Sequence, residues 1–133
     1  MNGNNKCSCG SFKSLYEMQL KNQQELLNKG KYEDYTLSTL MFDKLPKDDI
    51  SLFSYHIQQL QSEIGELLHS DRRWKNFRKH NIDTENKKEE IADCFIVLMN
   101  IAIFSGICSD ELYNSINEKI RIVSERVRNC DCE

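Results

Sequence analysis

Two acidic clusters separated by a basic, aromatic stretch carry the chemistry this chain could do: Glu63-Ile-Gly-Glu66, then Glu89-Glu90-Ile-Ala-Asp93. Acids three or four residues apart share one side of a helix. Two such sides facing each other form a hard-oxygen site suited to Mg²⁺, with Mn²⁺ as a substitute. At about 100° per residue, Asn86, Glu89, Asp93 and Asn100 fall within roughly 60° of one another, with Glu90 on the sector's edge. A carboxylate set against a core is costly, so this polar strip must meet water, a cation or a polar ligand. Glu63 and Glu66 fit as the opposing wall, and four converging carboxylates repel unless a divalent cation sits between them. A lone acidic pair is ordinarily a solvated helix face. A non-catalytic helical interaction module is therefore the competing reading, and the pairing of two clusters weighs against it.

Other side chains could handle the rest of a phosphorylated ligand. Lys119 and Arg126, seven residues apart, border an apolar helical stripe and are expected to point toward neighbours rather than into bulk water. Trp74, flanked by Arg73 and Lys75, offers a stacking face with adjacent positive charge, which suits a nucleobase and its phosphates. Gln19 and Asn22 fall in the sector of Phe12, Leu15 and Leu26, where buried amides need partners and a base edge is one candidate. His56, His69 and His80 do not cluster at ligand spacing. No Ser or Cys sits in a nucleophile motif and no Walker-type glycine loop is present, so metal-activated water rather than covalent, kinase or motor chemistry is expected.

The elements that must position these groups read as all-α. Among 133 residues there are one proline and five glycines, and apolar residues recur at helical spacing. The first helix is expected from about Ser11 to Lys29, stopped by Gly30, with a polar, Tyr-rich connection from Lys31 to Leu45. A second helix opens at Pro46, carries Phe53, Ile57, Leu60, Ile64 and Leu67 on its core stripe, and ends near Ser70. The basic stretch Asp71 to His80 reads as a short helix or loop. The third helix, from Asp83 or Thr84 to about Phe104 with Gly106 as its stop, is apolar on nearly every side after Ala92 and should be the most buried. The fourth opens at Ser109 with Leu112, Ile116, Ile120, Val123 and Val127 on one stripe. This predicts a four- to five-helix bundle over residues 11–129, with polar tails at 1–10 and 130–133.

The net charge of −3 gives no global attraction to nucleic acid or to an anionic membrane. No signal-like or membrane-length apolar segment is seen, so a cytoplasmic protein is expected. Cys94 and Cys108 read as buried free thiols. Cys7-Ser-Cys9 and Cys130-Asp-Cys132 read as exposed pairs in frayed tails, with shared zinc as the weaker alternative.

Glu63-x-x-Glu66 followed by Glu90-x-x-Asp93 leading into an apolar helix resembles the all-α nucleoside triphosphate pyrophosphohydrolase superfamily, which includes MazG-like proteins, dimeric dUTPases and dCTP pyrophosphatases. Leu15-Tyr-Glu-Met-Gln19, Trp74-Lys75 and Glu90-Ile-Ala-Asp-Cys-Phe-Ile-Val-Leu look most like its dUTPase-like branch. The resemblance implies that Glu63, Glu66, Glu90 and Asp93 hold Mg²⁺, with one of them orienting the attacking water. Lys119 and Arg126 would contact phosphates, and Gln19, Asn22, Trp74, Lys75 and Asn100 would serve substrate recognition. It further implies cleavage of a deoxynucleotide such as dUTP or dCTP to the monophosphate and pyrophosphate, by a dimer or dimer of dimers. Val123 and Ser62 depart from the family's usual asparagine and glutamate, which bears on base preference.

Overall fold

The computed structural model describes residues 10–32, 50–75 and 82–130. Four α-helices lie among them: α1 (Phe12–Asn28), α2 (Ile50–Ser70), α3 (Thr84–Phe104) and α4 (Ser109–Arg128), with a single 3-10 turn at Arg72–Trp74 and no strand. The expected start at Pro46, most of the Tyr-rich connection, the basic stretch beyond Lys75, and Cys7, Cys9 and Cys132 lie outside the described residues, while Cys130 is exposed as expected.

Local chemistry sets the helix ends. Ser11 caps α1 by accepting from the Ser14 N–H, and Asp83 caps α3 by accepting from Asn86, both at 3.1 Å. Gly30 (φ 67°) and Gly106 (φ 73°) take the left-handed conformation that ends α1 and α3. Each sits in a paired hydrogen-bond motif: Lys31 N–H reaches Leu26 O and Gly30 N–H reaches Leu27 O, while Ile107 reaches Ala102 and Gly106 reaches Ile103. The backbone then bends by 119° between α3 and α4.

α2 and α3 run antiparallel, as three successive contacts show. His56 stacks on Phe104 at 5.0 Å between centroids, Glu63 meets Glu90 and Asp93, and Asp71 pairs with Lys87. The core sits at the Phe104 end, where Tyr16, Leu27, Tyr32, Leu52, Ala102 and Ile103 surround it. The Tyr16 hydroxyl donates to Ile107 O and fastens α1 to the α3–α4 corner. Burial pushes the hydroxyls of Tyr16 and Tyr32 up to about 12, so both stay protonated donors.

Three expectations about helix faces are corrected. On α1 the buried residues are Tyr16, Gln23 and Leu27, while Leu15 and Leu26 are exposed. On α2 they are Leu52, His56 and Ser70, and the apolar row Phe53, Ile57 and Leu60 is only half-buried, with Ile64 exposed. α3 supplies more buried residues than any other helix, yet Ile91, Phe95 and Leu98 face outward, Phe95 at 63 % exposure. On α2 and α3 the physical reason is shared: they turn polar rows toward each other around the carboxylates, which sends part of their apolar surface outside. α4 buries only Ser109, and its apolar stripe stands uncovered, with Val127 at 68 % exposure. Cys108, expected buried, is exposed, and Cys94 is half-buried. Among the described residues no single helix is long and apolar enough to cross a membrane.

Candidate active site

One turn of α2 and one of α3 bring the acidic clusters together. Glu63, Glu90 and Asp93 each offer a carboxylate oxygen, and these oxygens lie within 4.8 Å of one another. Glu66, exposed on α2, lies beside this set of three, close enough for its charge to raise both Glu63 and Glu90. Three of the four predicted ligands therefore share one cluster of oxygens, and the fourth borders it. Glu89, near the middle of the polar sector on a helical wheel, is exposed and outside the cluster. The direction of approach of α2 selects Glu90 instead.

The electrostatics are those of a site built for a positive charge. Partial burial first, then the neighbouring charge of Glu66, raises the Glu63 carboxyl above its ordinary value. Glu90 is raised by burial and by the charges of Glu66 and Asp93. Glu63 Oε2 and Glu90 Oε2 are shut away from water without a hydrogen-bond partner. Buried acceptors of this kind normally find a donor or a cation, and an all-carboxylate set matches a hard divalent ion such as Mg²⁺. The residues thus fit the group the sequence called for. The half-buried Cys94 thiol lies against the same group; burial and the charges of Glu63, Asp93 and Glu90 raise it, so it stays a neutral wall.

About two turns further along α3, toward the core, a chain of amides begins at Asn100. Asn22 Nδ2 donates to Gln19 Oε1 at 3.3 Å, and Gln19 Nε2 donates to the buried Asn100 Oδ1 at 2.7 Å. The three predicted amides are thus joined; Gln19 is half-buried and Asn22 exposed. Trp74 stands on the 3-10 turn at the opposite end, half-exposed, with its Nε1–H donating to Leu68 O at 3.2 Å and Lys75 Nζ 5.4 Å from the ring centroid. A pocket of about 570 Å³ opens there between Leu67, Leu68, Trp74 and Ile91, with Asp71, Arg73 and Lys87 in its lining. Lys119 and Arg126 are exposed on α4, contrary to the expectation that they turn away from bulk water. Among the described residues no second helix lies against the outer side of α4 to receive them.

Sequence reasoning passed over two groups. His56, set aside for want of metal-ligand spacing, is buried: its Nδ1 donates to Leu52 O at 2.8 Å, and Tyr32 links it to Gln23. Asp71 and Lys87 form an ion pair at 2.8 Å just beyond the carboxylates. The clue for the second was an acid placed directly after the predicted end of α2, where a cap or a bridge belongs.

An all-α chain with a tetrad of carboxylates between two antiparallel helices is the class these features define. A family model described as dUTPase matches residues 11–129, and the chain belongs to that dUTPase family. The match takes in all four helices and every predicted site residue. No curated protein and no solved structure matches the chain.

Proposed function

We propose that this chain hydrolyses a deoxynucleoside triphosphate, dUTP before dCTP, to the monophosphate and pyrophosphate, with Mg²⁺ held by Glu63, Glu66, Glu90 and Asp93. The observation that carries this reading is the convergence of carboxylate oxygens within 4.8 Å, two of the glutamates presenting buried oxygens that lack a donor. Membership of the dUTPase family supports the choice of base. The bound cation supplies charge neutralisation for the polyphosphate and acidity for a nearby water.

The chain's own residues then divide the work. A carboxylate of the tetrad accepts a proton from the attacking water as the water oxygen bonds to the α phosphorus and the bond from that phosphorus to the bridging oxygen breaks, so that pyrophosphate leaves with the bridging oxygen and its electron pair; attack at the β phosphorus would instead release the monophosphate carrying that oxygen. The buried oxygens of Glu63 and Glu90 limit competition from bulk water on that side of the site. Trp74 and Lys75 hold part of the nucleotide from the pocket side, and Gln19, Asn22 and Asn100 address polar edges of base and sugar.

Lys119 and Arg126 are proposed to reach phosphate oxygens of a neighbouring copy. They flank the exposed row Tyr113, Ile116, Ile120, Val123 and Val127, whose three- and four-residue spacing suits packing against another helix. A homodimer or homotetramer that covers this row accounts for the uncovered apolar surface, and a housekeeping role in the nucleotide pool follows.

The test is pyrophosphate release from a panel of dNTPs and NTPs, with and without Mg²⁺. Metal-dependent release from dUTP is the expected result. Release from no nucleotide, with no Mg²⁺-dependent stabilisation, would leave a helical interaction module with solvated acids.

A further inference from the structure

The repelling carboxylates cannot fasten α2 to α3 at their own level, so the fastening must lie elsewhere along the pair. At one end it is the aromatic core. At the other it is Asp71. This carboxylate is only 16 % exposed, and its partners are Arg73 and Lys87. Oδ1 accepts from the Arg73 backbone N–H at 3.3 Å and from Arg73 Nε at 2.8 Å; Oδ2 accepts from Arg73 Nη2 and from Lys87 Nζ, both at 2.8 Å. Among the described residues Asp71–Lys87 is the one ion pair that joins the end of one helix to another.

Its placement bears on the tetrad. Lys87 stands three residues before Glu90 on α3, and Asp71 follows Glu66 by five, so the bridge lies about one turn from both. Asp71 also caps the 3-10 turn that carries Trp74. The same three ionic residues line the Trp74 pocket. An isolated surface ion pair contributes little, but this carboxylate is shielded, forked onto a guanidinium and shared with an ammonium, which makes it geometrically specific. Hydrogen bonds from Arg73 and then Lys87 hold its carboxyl well below the usual carboxylate range, so the clamp stays charged wherever the protein is assayed.

We propose that Asp71 is a positioning residue: by capping the Trp74 turn and holding Lys87, it fixes the indole and the Glu90 turn of α3 relative to Glu63 and Glu66 on α2. This rests on the hydrolase reading where the metal and substrate are concerned, but the effect on Trp74 does not.

The experiment compares the full chain with Asp71→Asn, Lys87→Gln, Lys87→Arg and the double variant Asp71→Asn/Lys87→Gln. Trp74 is the single tryptophan, so intrinsic emission reads the pocket directly. Thermal stability against Mg²⁺ concentration reads the tetrad without turnover, and KM and kcat for dUTP are measured alongside. In Asp71→Asn the emission is expected to shift to the red and the half-saturating Mg²⁺ concentration to rise by roughly tenfold, the usual consequence of losing a supporting partner around a metal site. Lys87→Gln should repeat the Mg²⁺ effect, the double variant should be no worse than Asp71→Asn, and Lys87→Arg should restore it. Wild-type emission and Mg²⁺ midpoint in Asp71→Asn, with only a lower Tm, would overturn the proposal. Should the wild-type chain itself ignore Mg²⁺ and release no pyrophosphate, the hydrolase reading fails. The emission of Asp71→Asn then decides alone, an unchanged spectrum overturning the clamp and a red shift supporting it.

Discussion

Glu90 and Asp93 are the residues on which the chemistry can be tested most sharply. Glu90→Gln and Asp93→Asn keep shape and remove charge, so each should lower pyrophosphate release by more than about a hundredfold, beyond what an outer partner costs, while the helical circular dichroism stays that of the parent. Retained activity in both would remove the tetrad from the mechanism. The acids were readable as a set from spacing alone, yet the choice of Glu90 over Glu89 was not, because a helical wheel ranks positions within one helix and the second helix decides which of them it meets. His56 was unreadable for a related reason: its value comes from Phe104 and Tyr32, distant in sequence. Burial holds its imidazole below the ordinary range, partly opposed by the Leu52 hydrogen bond. As pH falls below about 6.5 the unfolded chain takes up a proton that the folded one resists, so stability drops on the acid side. The expected loss of Tm between pH 7.5 and 5.5, taken as a difference from His56→Phe, should belong to the wild type; equal slopes in the two proteins would assign the titration elsewhere.

At the level of whole helices the sequence was most informative at the ends. Ser11, Asp83, Gly30 and Gly106 mark boundaries through hydrogen bonds made within a few residues, and such local chemistry survives in a one-dimensional reading. Faces were less legible. The α2 stripe of Phe53, Ile57, Leu60, Ile64 and Leu67 is genuinely apolar, but in the single chain the inward row is Leu52, His56 and Glu63, since a polar site competes with the core for the same side. Gly65, between the two α2 glutamates, gives a test on this helix. An added Cβ would meet nothing within 4 Å, so Gly65→Ala should stabilise the chain by about 1 kcal/mol, or roughly 4 °C in Tm. A gain in Tm with activity intact is the expected outcome of thermal melts and assays run together; a loss in Tm would mean that α2 is strained there.

Among the described residues, rows of large apolar side chains stand exposed on more than one helix. α4 exposes its row from Tyr113 to Val127, and α3 exposes Ile91, Phe95 and Leu98. Chain length and apolar helix surface raised the expectation of an assembly in the sequence, whereas the geometry of any such assembly depends on surfaces that periodicity does not orient. In sedimentation velocity the wild type should run as a dimer or tetramer. Ile120→Asp should shift toward monomer and lose most of its turnover if Lys119 and Arg126 serve a neighbouring copy. A wild-type monomer with full activity would refute the shared arrangement.

The three tiers along α2 and α3, aromatic packing, carboxylates and salt bridge, also imply an uneven resistance to opening. Hydrophobic contact is concentrated around Phe104, while the carboxylate tier is internally repulsive and the last tier depends on charge. Backbone amides of α3 should therefore exchange with deuterium in a gradient, slowest at residues 97–104 and fastest toward residue 87. Mg²⁺ should flatten that gradient from the middle outward. A cation held at the tetrad would then act on more than the reaction, closing the half of the helix pair that the fold by itself leaves prone to fraying.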